Sequence, residues 1–224
     1  LILRVATWNC QHGKPDPGLM GAAAGSLDVD VLALQEVDRG STRVAGRDLA
    51  ADAASAFGGE LVWAPALTLP NGGSYGNALL VRGQVTRSET FDLPGRRRTE
   101  PRVAIIAEVV AAGRPWTIAA THLTTRRDVS PDQLLALIDA LRGRPAPRVL
   151  LGDLNLEAGQ LLPWLTAESY RLAVGPPTHS VRRPRRQIDH VAVHGRGCTV
   201  SVREARALPV GDHLALLAEV GCPG

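Results

Sequence analysis

Lysine is nearly missing from this chain: Lys14 is the only one, so arginine supplies almost all of the 25 basic residues among 224. The formal charge of +3 permits an anionic ligand without requiring one. Aromatic residues are only 4%, which leaves little surface on which exposed nucleobases could stack. No run approaches the roughly 20 uninterrupted apolar residues that a membrane-spanning helix needs. The opening Leu1-Ile2-Leu3-Arg4-Val5 reads as the start of a strand, not as a signal peptide. A cytoplasmic, monomeric protein without a transmembrane segment is therefore expected. Cys10, Cys198 and Cys222 are odd in number and far apart, which suits neither a disulfide framework nor a paired-thiol zinc site. Three buried, reduced thiols are the expectation.

Hydrophobic residues make up 45% of the chain, and no repeat, low-complexity tract or long linker interrupts it. One large domain over residues 1–224 is the simplest organisation. Short apolar runs bounded by Gly and Pro predict strands at about 2–8, 31–34, 61–64, 78–81, 103–110, 116–121, 149–151, 188–193, 199–203 and 214–220. Ser130 with Pro131 and Gln133 predicts a capped helix start with a capping box. Leu134, Leu137, Ile138 and Leu141 then share one helical face, up to Gly143 and Pro145. An alanine-rich helix is expected over 47–57, ended by Gly58-Gly59, and a weaker one near 19–26. Many strands intermixed with few helices point to two stacked sheets with helices outside.

Several apolar runs end in a polar residue suited to metal or phosphate. Trp8 leads to Asn9, Leu34-Gln35 to Glu36, Thr121 to His122, and Leu151-Gly152 to Asp153-Leu154-Asn155. Strand ends are rigid, so side chains from several of them can converge on one rim. Asp189 lies inside an apolar run, where a buried carboxylate needs a partner such as an imidazole, and Asp212-His213 precedes the last strand. Singly, each has an ordinary structural reading as a turn residue, a solvated strand end or a hydrogen-bonded histidine.

Together, Thr7-Trp8-Asn9, Gln35-Glu36, Thr121-His122-Leu123, Gly152-Asp153-Leu154-Asn155, Ile188-Asp189-His190 and Gly211-Asp212-His213 resemble the successive motifs of the endonuclease/exonuclease/phosphatase superfamily. The resemblance covers nearly the whole chain. It implies an α/β (α+β) fold, a four-layer αββα sandwich of two mixed sheets with helices outside. It also implies a metal-dependent hydrolase of phosphate esters.

Asn9, Glu36 and Asp212 offer hard oxygens that favour Mg²⁺ or Mn²⁺, and the same resemblance implies that Asn9 and Glu36 place the metal, with Asp212 a further candidate ligand. Asp153 and Asn155 orient the attacking water and the phosphate, Asp189 steadies His213 as the acid–base or phosphate-contacting imidazole, and His122 donates to a phosphate oxygen. Arg102, just before a strand, is a candidate phosphate clamp, with a solvated strand-end arginine as the alternative. Asn77 is a candidate substrate contact, with a turn asparagine as its alternative. Arg182 and Arg183 head a basic run that leads into the strand carrying Asp189, and they are candidate substrate contacts as well.

The favoured substrate is a small phosphodiester or phosphomonoester. A DNA-directed endonuclease is the alternative, because relatives cut DNA and arginine runs flank the motifs. A lipid-headgroup phosphodiesterase ranks third, and a catalytically dead binding module is the rival from another class.

Overall fold

A computed structural model describes residues 1–70 and 72–223. The chain begins with strand β1, Ile2–Asn9, which pairs in parallel with β2, Val31–Arg39, across the short helix α1, Met20–Gly25. Helix α2, Leu49–Phe57, follows, with Asp48 capping its N-terminus through the amide of Ala51 and Gly58 ending it in the left-handed conformation. Strands β3, Glu60–Thr68, and β4, Ser74–Val81, form a hairpin whose β4 lies against β2. With β11, Thr199–Arg206, and β12, Ala215–Gly221, they complete a six-stranded mixed sheet in the order β11-β12-β1-β2-β4-β3.

The second sheet is built in the same way. Strands β5, Gly83–Asp92, β6, Val103–Ala111, and β7, Arg114–His122, run antiparallel. Helix α3, Ser130–Leu141, then crosses to β8, Arg148–Asp153, parallel to β7. After helix α4, Ala158–Ala167, the short β9, Tyr170–Leu172, and β10, Asp189–His194, close the order β5-β6-β7-β8-β10-β9.

The inner strands are buried on both faces, which explains why they read as continuous apolar runs instead of alternating ones. Along β1, Leu3 and Val5 enter the core between the sheets, where they meet Ile105, Ile118 and Val191. Ala6 and Trp8 face the layer of α1 and α2. On the other side Leu134, Leu137, Ile138 and Leu141 of α3 pack with Leu161 and Leu165 of α4 on Ile106, Ala119 and Leu150. Truncating a fully buried leucine such as Leu137 to Ala costs about 2–5 kcal/mol. The four layers are thus helix, sheet, sheet, helix.

Two expectations need correction. Cys198 and Cys222 form a disulfide, leaving Cys10 as the free, buried thiol. They are 24 residues apart in sequence. However, β11 and β12 are paired with Thr199 opposite Gly221, and that register sets the two cysteines side by side. The pairing also bears on compartment, because cytosolic thiols are generally held reduced. The capping box expected at Ser130 is absent as well. The N-cap is Val129 with no side-chain bond. Gln133 instead accepts from the Thr124 amide and donates to Pro94 O, tying the neighbouring loops to the helix. The capping box of this chain is at α4, between Glu157 and Gln160.

Candidate active site at one rim of the sandwich

Chain direction explains why distant motifs meet. Asn9, His122 and Asp153 end β1, β7 and β8. Asp189 begins β10, which is antiparallel to β8 with Asp189 opposite Asp153, and His213 comes just before β12, antiparallel to β1. Ends of one set and beginnings of the other fall on the same rim. Gly152 is required there because a Cβ at this position would lie 2.0 Å from Thr121 O, so only glycine lets β8 approach β7 so closely. Glu36 interrupts β2 at a register shift between Leu34 and Val37, with φ at 57°. Such a bulge re-aims a side chain, here toward a cleft of about 250 Å³ shared with Arg102, Tyr75 and His12.

Asp153 is the hub. Its Oδ2 accepts from Asn9 Nδ2 at 3.1 Å and lies 3.4 Å from His122 Nε2 and 3.8 Å from His213 Nε2. Its Oδ1 accepts from the Asn155 amide at 3.0 Å. Asn9 Nδ2 also donates to Glu36 Oε1 at 3.0 Å, and Asn9 Oδ1 accepts from the Gln11 amide. His213 Nδ1 donates to Asp189 Oδ2 at 2.8 Å, so the other ring nitrogen faces the rim. Arg102 donates to His122 Nδ1 at 3.1 Å, which leaves the imidazole proton on Nε2, the atom turned toward Asp153. Asn155 adopts φ of 52° and donates its side-chain amide to Leu123 O.

Burial sets the protonation states. Loss of solvent and the nearby Asp189 push the Asp153 carboxyl up to about 7. Burial disfavours a charged His213, but the Asp189 carboxylate, helped by Asp153 and Asp212, outweighs it and raises the imidazole to about 9. His122 moves the opposite way: burial, then Arg102 and His213, hold it well below the usual histidine range and neutral. One rim therefore presents a carboxyl poised near neutrality, a cationic imidazole and a neutral imidazole donor.

The pattern of the Endonuclease/Exonuclease/phosphatase family matches residues 6–213, which spans every one of these motifs. The chain belongs to this family. It is a metal-dependent hydrolase of phosphate ester bonds, as its family is. Solved structures agree on the fold. An endonuclease/exonuclease/phosphatase from Bacteroides vulgatus superposes with a TM-score of 0.76 at 17% identity over the whole of both chains. A mannosyl-6-phosphatase from Bacteroides thetaiotaomicron gives 0.75 at 14%, over 98% of this chain and 100% of the other. The human Nocturnin catalytic domain, solved with a bound sulfate anion, gives 0.70 at 20%, over 98% and 93%. No curated protein matches the chain in sequence.

The remaining expected site residues divide. Asp212 does not join Asn9 and Glu36 directly: Gln11 Nε2 donates to its Oδ2, and its carboxylate lies 4.0 Å from both His179 and His213. Asn77 is buried and its amide donates to Val103 O, tying β4 to β6 across the sandwich. Arg102 also pairs with Glu100 at 2.9 Å and is nearly buried. Arg182 and Arg183 are exposed, and their side chains make no hydrogen bond or ion pair among the described residues.

His179 and Thr178 had no motif to mark them. The backbone of His179 bridges to His213, with ring centroids 4.6 Å apart, and the Thr178 hydroxyl accepts from the Asp189 amide at 3.3 Å. The sequence signal for them is weak: a Thr-His pair in a Pro-rich loop just ahead of the Asp189 strand.

The donor set fits a hard cation. Glu36 is half-buried, with one hydrogen bond to Oε1, and opens on the cleft; Asn9 turns its amide nitrogen toward Glu36 and its oxygen toward the Gln11 amide, so a half-turn of that amide is needed to set an oxygen ligand beside Glu36. One or two protein oxygens, completed by water and substrate, are how Mg²⁺ is generally held. The thiols and imidazoles that mark zinc are absent from that pair.

Proposed function

We propose that the chain cleaves small phosphomonoesters or phosphodiesters with water, using Mg²⁺ or Mn²⁺ held by Glu36 and Asn9, with Asp212 at the edge of the site. The chemistry such a cation supplies is Lewis acidity, drawing charge off a phosphoryl oxygen and the departing oxygen.

The protein's own part falls to Asp153, His213 and His122. Asp153, ionised as the pH passes about 7, takes the proton of the attacking water, and Asn155 holds the Asp153 loop in place. His213, cationic and braced by Asp189, donates to a phosphoryl oxygen. Neutral His122, its proton fixed on Nε2 by Arg102, is the second donor. The observation that carries this reading is the convergence on Asp153 Oδ2 of Asn9 Nδ2, His122 Nε2 and His213 Nε2, all within 3.8 Å.

Support for a small substrate comes from the cleft of about 250 Å³ beside Glu36, whose lining does not include Arg182 or Arg183. The exposure of those two arginines, without side-chain partners among the described residues, is what favours the second reading, a DNA-directed endonuclease. The deciding experiment is a substrate panel with Mg²⁺ or Mn²⁺: plasmid DNA, single-stranded DNA, RNA, an aryl phosphodiester, an aryl phosphomonoester and phospholipid. Turnover of the small esters with intact plasmid is expected. Plasmid nicking without small-ester turnover transfers the assignment to DNA.

A further inference from the structure

The cleft beside Glu36 continues past the site. His12 and Arg43 line it, and both also line a second hollow of about 370 Å³ whose rim carries Lys14. The two spaces therefore adjoin at His12 and Arg43, with Glu36 and Arg102 lining the first, the reacting end, and Lys14 lining the second, the outer end.

Two cationic side chains at the outer end have donors without a protein partner among the described residues. Arg43 uses Nε and Nη2 to grip the fully buried carboxylate of Asp38 at 2.7 and 2.6 Å and lies over Tyr75. Its Nη1 makes no hydrogen bond among the described residues. Asp38 thus fixes the guanidinium and leaves one edge facing outward. The part-buried His12 lines both hollows, with its Nδ1 enclosed by protein. Lys14, the sole lysine of the chain, is exposed and forms no ion pair among the described residues. A fixed guanidinium edge and an unpaired ammonium lining one hollow are the complement of an anionic group.

We propose that this outer half holds a second anionic group, phosphate or carboxylate, on the leaving portion of the substrate. The preferred ester is then a small molecule carrying two anionic groups, one cleaved at the rim and the other gripped by Arg43 and Lys14. The proposal rests on the phosphoesterase reading for the placement of the scissile group, but its binding component does not need turnover.

The test has two arms. With Mg²⁺ or Mn²⁺, KM is compared for three esters with the same reacting phosphate: one with a neutral leaving portion, one with a carboxylate on it, one with a second phosphate. At least about a tenfold lower KM is expected for a doubly anionic ester, the scale of a charge-assisted contact, and which of the two gains more identifies the anion. In Lys14→Glu and Lys14→Ala, on a loop outside the cores, the KM ratio should collapse toward one, further in the first.

In the second arm the bisphosphate is titrated calorimetrically in EDTA, where about a tenfold weaker Kd is expected for both variants, with melting curves confirming that they are folded. Equal KM values for the three esters, or unchanged Kd in both folded variants, overturn the subsite. Absence of turnover on every ester while Lys14→Glu still weakens metal-free binding sinks the activity and leaves the subsite standing.

Discussion

Two charged regions sit next to one another in this protein and behave in opposite ways. Asp189 is wholly buried and bonded to His213, and Asp153, 1% exposed, is held by four neighbours. A few residues earlier, Arg182 and Arg183 stand in solvent without side-chain partners among the described residues; of that run, Arg186 pairs with Glu157 at 3.0 Å. In the buried region water is excluded, so each charge acts strongly on its neighbours and is held ready at a fixed angle. In the loop, charges separated by more than about 8–10 Å are screened at physiological salt, and each long side chain must be ordered anew when a ligand arrives. Charge is therefore held in fixed geometry at the rim and left to solvent at the loop.

The contrast breaks most clearly at its strongest point. Asp153→Asn should lower turnover by about 10²–10⁴ while the protein stays folded, because the proton acceptor is lost but the shape is kept. Near-parental rates would remove Asp153 from the chemistry. His213→Ala should cost about 10²–10³, and adding Asp189→Asn to it should cost little more, since Asp189 acts through the imidazole. Additive losses would separate the pair.

The same pair can be read without turnover, by following the His213 ring signals against pH in metal-free protein. Titration near 9 is expected in the parent, with a clear drop in Asp189→Asn. Because the folded value lies above the ordinary 6.5, the pairing stabilises fully below about 6.5 and its contribution fades as the pH rises through 9. The stability lead of the parent over Asp189→Asn should therefore shrink at high pH. An unshifted His213 would contradict the pairing.

Next in size is the metal. Excess EDTA should abolish turnover and Mg²⁺ or Mn²⁺ restore it, and Glu36→Ala should raise the metal concentration needed at half-maximal rate by about tenfold or more, on the scale of one lost ligand contact. A titration curve identical to that of the parent would exclude Glu36 as a ligand.

The rim was legible because its motifs sit at the ends of apolar strands, and strand ends are what a sheet holds rigidly. The central strands and α3 were legible because burial on two faces, or one helical stripe, leaves a pattern in the chain. What escaped lacks that pattern. Strand β5 is an exposed edge with alternating polar residues, β9 is three residues long, and α4 carries Pro163 in its interior. The Cys198–Cys222 pair depends on the register of β11 against β12, which sequence separation conceals. His179 reaches His213 through a loop path marked in the sequence only by a weak Thr-His signal. Gln133 shows the reverse: a capping motif was present, yet two loops offered its amide better partners.

The smallest expected effect lies at the loop, and it decides between the two readings of substrate. Arg182→Ala/Arg183→Ala removes two exposed guanidinium groups that touch nothing in the site, so turnover of a small aryl phosphodiester should change less than about twofold, the range of ordinary surface substitutions. Arg102→Ala should cost more, because Arg102 fixes the tautomer of His122. A nucleic acid would behave differently. It would place several phosphates along the basic run, so duplex affinity would fall steeply with salt, and each arginine removed would flatten the slope of log K against log salt by about one unit. Duplex binding and small-ester turnover are therefore measured across one salt series for the parent and the double variant. Shallow salt dependence with unaffected ester turnover assigns the arginines to the solvated surface. Tight duplex binding whose slope drops by about two units would make the loop a DNA contact and displace the small ester as the substrate.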